Sequence, residues 1–244
     1  MIEPEAIELL LHKIANRYGY DFSDYARASL HRRIDLFYTK NKQPSFALMS
    51  ERLMQDPVFF MSFVEQITVN VTEMFRDAGF YKMLREHVLP VLATYPFIRI
   101  WHAGCSTGEE VYSIAILLKE ANLLHKSILY ATDINQAVLA KAKTGIFPIA
   151  AMQQNSENYI RSGGREEFSK YYHASYNHVK FDSALSEKMI FSTHNLVADA
   201  SFNEFQLILC RNVLIYFNRE LQAKVLQLFD RSLESLGFLA LGSK

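Results

Sequence analysis

The stretch IRIWHAGCSTGEEVYSIAILL (98–118) decides how this chain is read. It opens on an apolar run without helical period, passes through a turn punctuated by Gly104 and Gly108, and continues as an amphipathic helix, which is a buried strand followed by a turn and a helix. Glycines in such a turn let the backbone pass close to a ligand, and the fresh helix start offers unpaired N–H groups. A phosphate-binding loop places Lys and Ser/Thr after its last glycine, whereas this turn places Glu109 and Glu110 there. Two carboxylates repel a phosphate and suit a ligand that carries cationic groups. Either glutamate could also serve only to complement the helix dipole.

Working outward, the same alternation returns. Residues 127–132 form a second apolar run, followed by helical spacing over 135–143. Residues 205–210 form a third, followed by a helix over about 219–236, and 237–241 a fourth. Strands alternating with helices predict a parallel sheet covered on both faces. Asp133 closes the second run, 25 positions after Gly108. In open α/β sheets that hold nucleosides, an acid at this point accepts hydrogen bonds from ribose hydroxyls. Its plainer role would be to cap the helix that begins near Asn135. The third run, FQLILC, delivers Cys210, Arg211 and Asn212 to the carboxyl end of a buried strand, and an Arg-Asn pair between two apolar runs is costly unless it is used. Between these elements, residues 156–193 lack the alternation. Tyr171, Tyr172, Tyr176, Val179, Phe181, Ile190 and Phe191 predict a small β-rich insertion there.

The first third reads as helices. Ile7, Leu10, Leu11 and Ile14 recur at helical spacing, and Gly19 stops that helix. Ser23 or Asp24 would cap a second helix reaching about residue 41, with Leu30, Ile34, Phe37 and Tyr38 inward and its arginines outward. Two short helices follow, over 45–55 and 57–66, then a longer one from about 77 to 93. The chain holds 26 basic and 26 acidic residues, so it lacks the basic excess of a protein that grips nucleic acid through phosphates. One local excess stands out: residues 27–42 hold five basic side chains and the single acid Asp35. The start MIEPEAIELL has acids where an export signal carries lysines, and the longest apolar runs are far shorter than a bilayer span. With only Cys105 and Cys210, the expectation is a cytoplasmic chain without disulfides, both thiols being small packing groups.

Four blocks together, NVTEMFRD (70–77), GCSTGEEVYSIA (104–115), ATDI (131–134) and CRNVLIYF (210–217), with HNL (194–196), resemble the CheR family of chemotaxis receptor glutamate methyltransferases. LHRRI (30–34) in the helical third fits that family's small all-helical domain. The resemblance implies a class I S-adenosylmethionine-dependent methyltransferase core, α/β and Rossmann-like, with a small inserted β-subdomain. Residues 1–72 would form the all-helical N-terminal domain, 73–95 a linker helix, and 96–244 the methyltransferase domain with its insertion at about 156–193. Carried over position by position, the contacts to S-adenosylmethionine, or to the product S-adenosylhomocysteine, would be Asn70, Thr72, Arg76, Glu110, Asp133, Asn195, Leu196, Arg211 and Asn212. Arg76 and Tyr216 would act at the reacting centre. The implied partner is the cytoplasmic helical region of methyl-accepting chemoreceptors, with no metal, no nucleic acid and no membrane insertion. Met74 and Val111 stand where the family more often has Phe and Pro; neither change removes a polar group. The family pattern also implies a strand beyond LGSK (241–244).

The chemistry agrees with what the residues offer. A glutamate carboxylate, with a reference pKa of about 4.3, is ionised at neutral pH and needs no general base to accept a methyl group. No His or Cys stands in an arrangement that demands one; His102 and His194 read as strand-end packing or caps. Two other readings remain open here: a methyltransferase for another substrate, and a domain that binds the cofactor as a scaffold or sensor. Amine methylation on nucleic acid favours a polar-Pro-Pro-aromatic loop after the strand that ends at Cys210, where this chain has Arg211-Asn212-Val213-Leu214.

Overall fold

The computed structural model describes residues 2–22, 27–67 and 72–242. The chain divides into two compact units, Met1–Val69 with Asn212–Leu226, and Asn70–Arg211 with Gln227–Ser243.

In the first unit, α1 (Pro4–Tyr18) buries Ile7, Leu10, Leu11 and Ile14 and ends where Gly19 turns left-handed at φ 74°. α2 (Arg27–Lys40) buries Leu30, Ile34 and Phe37, while Tyr38 is half-buried. The expected caps Ser23 and Asp24 lie outside the described residues. Arg27 and Arg32 are exposed as expected, but Arg33 is not an outer residue: it is half-buried, and its Nη1 donates to the Gln66 carbonyl at 3.4 Å. α3 (Phe46–Gln55) is capped by Ser45, whose hydroxyl accepts the Leu48 N–H, and α4 (Pro57–Ile67) opens on proline. Aromatic rings fill the space between these helices, with Tyr18 stacked on Phe60 at 3.8 Å and Phe37 edge-on to Phe63 at 5.1 Å. The later segment joins the same unit through an antiparallel bridge between Tyr20 and Phe217, and the Asp21 N–H donates to the Tyr216 carbonyl at 3.0 Å.

The second unit starts with α5 (Ala78–Met83), which runs through a π turn (Leu84–Val88) into α6 (Leu89–Leu92). These residues were expected to form a linker, yet Tyr81, Leu84, Val88, Leu89 and Leu92 are buried in one core with Ile98, Ile100 and Leu207. Fully burying such side chains stabilises by about 1.5–3 kcal/mol each relative to exposure. The chain continues through β1 (Ile98–Ala103), α7 (Glu109–Glu120), β2 (Ser127–Asp133) and α8 (Gln136–Thr144). Then come β3 (Ile146–Pro148), α9 (Met152–Arg161), β4 (Tyr172–Ser175), β5 (His178–Phe181) and the short α10 (Ser183–Ser186). β6 (Met189–Thr193), β7 (Phe205–Cys210), α11 (Arg219–Ser232) and β8 (Leu233–Leu241) complete it, with α11 crossing from one unit to the other.

The main sheet has the order β6-β2-β1-β7-β8 with every pairing parallel. β1 therefore lies where the winding reverses: β2 and β6 build out on one side, β7 and β8 on the other. Ligands bind beyond the carboxyl ends of the strands at such a reversal. A separate antiparallel sheet has the order β3-β5-β4.

Three boundaries differ from the sequence reading. Met189–Thr193 is not part of the insertion but the edge strand of the main sheet, with Ile190 opposite Tyr130. Only Met189 of this strand is buried, so it lacks the apolar density that marks β1 and β7. The insertion starts earlier, at β3, and contains the helix α9. β8 likewise begins at Leu233 rather than 237, because α11 passes directly into it across a register shift between Phe205 and Leu207.

Candidate active site

The turn after β1 is bonded back onto β2. The Gly104 and Cys105 N–H groups both donate to the Thr132 carbonyl, at 2.8 and 2.9 Å. Gly104 and Gly108 are left-handed, at φ 85° and 95°, and Ser106 between them is left-handed without being glycine, at 49°. Gly108 has a second constraint: a Cβ there would lie 2.9 Å from the Cβ of Ala142 on α8.

Asp133 organises this turn. Its Oδ2 accepts the Ser106 N–H at 2.8 Å and its Oδ1 accepts the Asn135 N–H at 2.9 Å, while Asn135 itself caps α8. Burial pushes its carboxyl up, and those N–H groups offset part of the push. The Asp133 carbonyl accepts the His194 N–H at 3.2 Å, which brings the end of β6 alongside, with Asn195 and Leu196 next in the chain. Asn195 is half-buried, its Oδ1 accepting the Val197 N–H at 2.9 Å, and Leu196 is buried.

Glu110, on the first turn of α7, is paired inside the protein. Its Oε1 lies 3.0 Å from His102 Nδ1 and its Oε2 lies 3.2 Å from Arg211 Nη1. An ionised carboxylate only accepts, so Nδ1 of the fully buried His102 carries the proton. Burial alone pushes the Glu110 carboxyl up, but His102 and Arg211 outweigh it and hold the group below the usual carboxylate range. Glu109 faces a different partner, the Thr107 hydroxyl at 2.6 Å, and burial raises its carboxyl.

Arg211, at the end of β7, has a side chain only 5% exposed. Its Nη2 reaches Asp77 Oδ2 at 2.6 Å and the Arg76 carbonyl at 3.1 Å, and its guanidinium carbon sits 4.2 Å from the centre of the Phe80 ring. It thereby ties the third motif strand to Glu110 and to the turn 74–77. That turn is strained. Phe75 and Asp77, on either side of Arg76, are both left-handed at φ 53° and 61°, which costs roughly 1–2 kcal/mol per non-glycine residue. Such outliers persist only where surrounding contacts fix them, and they gather at functional sites.

The sequence-derived residues are thus distributed as follows. Asp133, Asn195, Leu196 and Arg211 stand at the carboxyl ends of adjacent strands or in the turns that follow them, and Glu110 stands on the first turn of the helix after β1. Arg76 is half-buried in the strained turn, with Thr72 half-buried four residues before it. Asn70 lies outside the described residues. Asn212, left-handed at φ 59°, and half-buried Tyr216 belong to the first unit. Sequence reasoning missed His102 and Asp77 as members of the network. A histidine in the buried half of β1, between Trp101 and Ala103, was the available signal, since it requires a buried partner. Both thiols are buried and free; burial pushes each up, so neither is poised as a nucleophile. Among the described residues no helix is long and apolar enough to cross a membrane, and no cluster of His, Cys, Asp and Glu is placed to hold a metal ion.

Two sequence models match the chain: "CheR methyltransferase, all-alpha domain" over residues 5–68 and "CheR methyltransferase, SAM binding domain" over residues 70–244. Cher3 of Pseudomonas putida is 47% identical, over 98% of this chain and 87% of its own length. A chemotaxis protein methyltransferase of Listeria innocua is 33% identical, over 92% and 83%. One of Salmonella typhimurium is 32% identical, over 77% and 64%.

Proposed function

The chain belongs to the CheR methyltransferase family and binds S-adenosylmethionine, and we propose that it methylates glutamate side chains on the cytoplasmic helical region of chemoreceptors, leaving methyl esters. One observation carries the reading furthest. The motif blocks, spread between residues 70 and 217, meet at one edge of one sheet, where Arg211 reaches back more than a hundred residues to hold Glu110, Asp77 and the Arg76 carbonyl together.

The residues present fit the cofactor. Asp133 offers carboxylate lone pairs to ribose hydroxyls at the reversal of the sheet. The Ser106 hydroxyl, buried beside it, has no partner among the described residues. Asn195 and Leu196 offer a polar and an apolar surface at the next strand end. Glu110 and Arg211 close the other side, and Glu110 keeps acceptor capacity for an ammonium beyond the two bonds it already accepts.

The bound cofactor supplies a methyl group on a sulfonium. The protein's task is then positioning. The incoming carboxylate is already ionised, and well-oriented reactants gain about 7–11 kcal/mol of barrier reduction without a base. Arg76, on its strained turn, steers that carboxylate or holds the cofactor's own, and the family resemblance gives Tyr216 a part in the same reaction. Raised thiols keep Cys105 and Cys210 from competing for the methyl group.

The test is transfer of labelled methyl from S-adenosylmethionine to a receptor cytoplasmic fragment. The expected product loses its label as methanol in mild base. Base-stable label would mean a different acceptor group, and cofactor binding with no transfer would mean a scaffold or sensor.

A further inference from the structure

The turn that carries Arg76 is satisfied by side chains from distant elements. Met74 is held at both of its peptide groups by one face of α9: Asn155 Oδ1 accepts the Met74 N–H at 3.0 Å, and Asn158 Nδ2 donates to the Met74 carbonyl at 3.1 Å. The spacing of three residues puts both amides on the same side of the helix. Gln154 Nε2 donates to Asn158 Oδ1 at 3.1 Å, which fixes the end of that amide that faces Met74. Next along the chain, the Phe75 N–H donates to the Ser113 hydroxyl on α7 at 3.0 Å, and Arg211 closes the far end of the turn.

Asn155 and Asn158 are 2% and 5% exposed. Burying an amide costs free energy unless its hydrogen bonds are made, so apolar residues would pack α9 at lower cost. What the amides provide is a fixed backbone position immediately before two left-handed residues, Phe75 and Asp77, that flank Arg76. Such a conformation needs contacts that over-determine it.

We propose that Asn155 and Asn158 are positioning residues for Arg76, clamping Met74 so that the strained turn presents the guanidinium to the reacting groups. This rests on the role given to Arg76 above. Their own side chains need touch neither cofactor nor receptor.

The two amides play opposite hydrogen-bonding parts, and that supplies the test. In the full chain, Asn155→Ala and Asn158→Ala are expected to lower kcat towards the roughly 100-fold loss that a 1 Å misplacement produces, with little change in the KM for receptor fragment. Asn155→Asp keeps an acceptor for the Met74 N–H and should restore kcat close to wild type. Asn158→Asp removes the donor, sets a carboxylate against a carbonyl, and should stay defective. A role in packing alone would make the two aspartates equally harmful, and that result overturns the proposal. So would wild-type kcat in both alanine variants, or failure of all four variants to fold by circular dichroism, which would assign the pair to stability. Arg76→Ala is measured alongside. If it transfers methyl normally, the role of Arg76 is what fails; if it is inactive while the asparagine variants are normal, the clamp fails alone.

Discussion

At 5% exposure the Arg211 guanidinium depends on the acceptors around it, Glu110, Asp77 and the Arg76 carbonyl among the described residues. Arg211→Met would leave Glu110, among the described residues, with His102 alone as its side-chain partner. Removing one member of a buried pair costs about 3–5 kcal/mol, and urea unfolding should show a loss of that size. Lysine is a poor replacement, because a single ammonium cannot span Glu110, Asp77 and a carbonyl in a fixed fork. Glu110 also sets a pH dependence. Its folded pKa lies below the ordinary 4.5, so the stability it contributes is present above that value and lost as pH falls through the folded pKa. Burial raises Asp133 and Glu109, which therefore work in the opposite sense, costing stability at neutral pH and relieving it on acidification. Glu110→Gln should be less stable than wild type at pH 7 and lose less on going to acid, as read from Tm across pH 7 to 3. Asp133→Ala should weaken S-adenosylhomocysteine binding by about 1–3 kcal/mol by calorimetry, since ribose hydroxyls and the Ser106 N–H lose their acceptor together. Unchanged affinity would remove Asp133 from the cofactor site.

The turn between β1 and α7 has no room for a larger residue at Gly108. With φ at 95° and Ala142 2.9 Å from any added Cβ, Gly108→Ala should cost at least the 1–3 kcal/mol of a strained backbone position and weaken cofactor binding in the same variant. On α2, surface charge should act on encounter with an acidic receptor helix and not on the fold. Arg32→Glu with Lys40→Glu should raise the KM for receptor, and the defect should shrink in high salt; wild-type KM in low salt would leave α2 a solvated face. Arg33 is unsuited to that test, because its bond to the Gln66 carbonyl makes it part of the helical packing. The central strands and most helices were legible because burial on both faces writes an unbroken apolar run, as in Phe205–Cys210. β6 was not, because an edge strand with one buried residue leaves no such run. Motifs singled out Glu110, Asp133 and Arg211 in the sequence, and the structure brings these three to one edge of the sheet. The clamp from α9 was not, since hydrogen bonds that join residues 74 and 158 leave no local pattern.

At the scale of the whole molecule, the boundary between the two family matches near residue 70 coincides with one break between the compact units, but a second break after Arg211 has no counterpart in those matches. Residues 212–226 follow Arg211 directly, include Asn212 and Tyr216, and pack with the N-terminal helices. Tyr20 and Phe217 are both buried, their rings 5.5 Å apart. A fragment beginning at residue 70 should therefore expose Phe217 and Val225, bind the dye ANS and aggregate more than the intact chain; a clean monomer without dye binding would contradict this. The bridge between Tyr20 and Phe217 also has a consequence in time. The residues it joins are made about 200 positions apart, and at the roughly 5–20 residues per second of synthesis that is an interval of about 10–40 s. For most of it α1 to α4 have already been synthesised while the bridge partner of Tyr20 has not been translated. Aromatic surface meant for Phe217 must wait in the open, and whatever shelters a nascent chain in the cell has that interval in which to act.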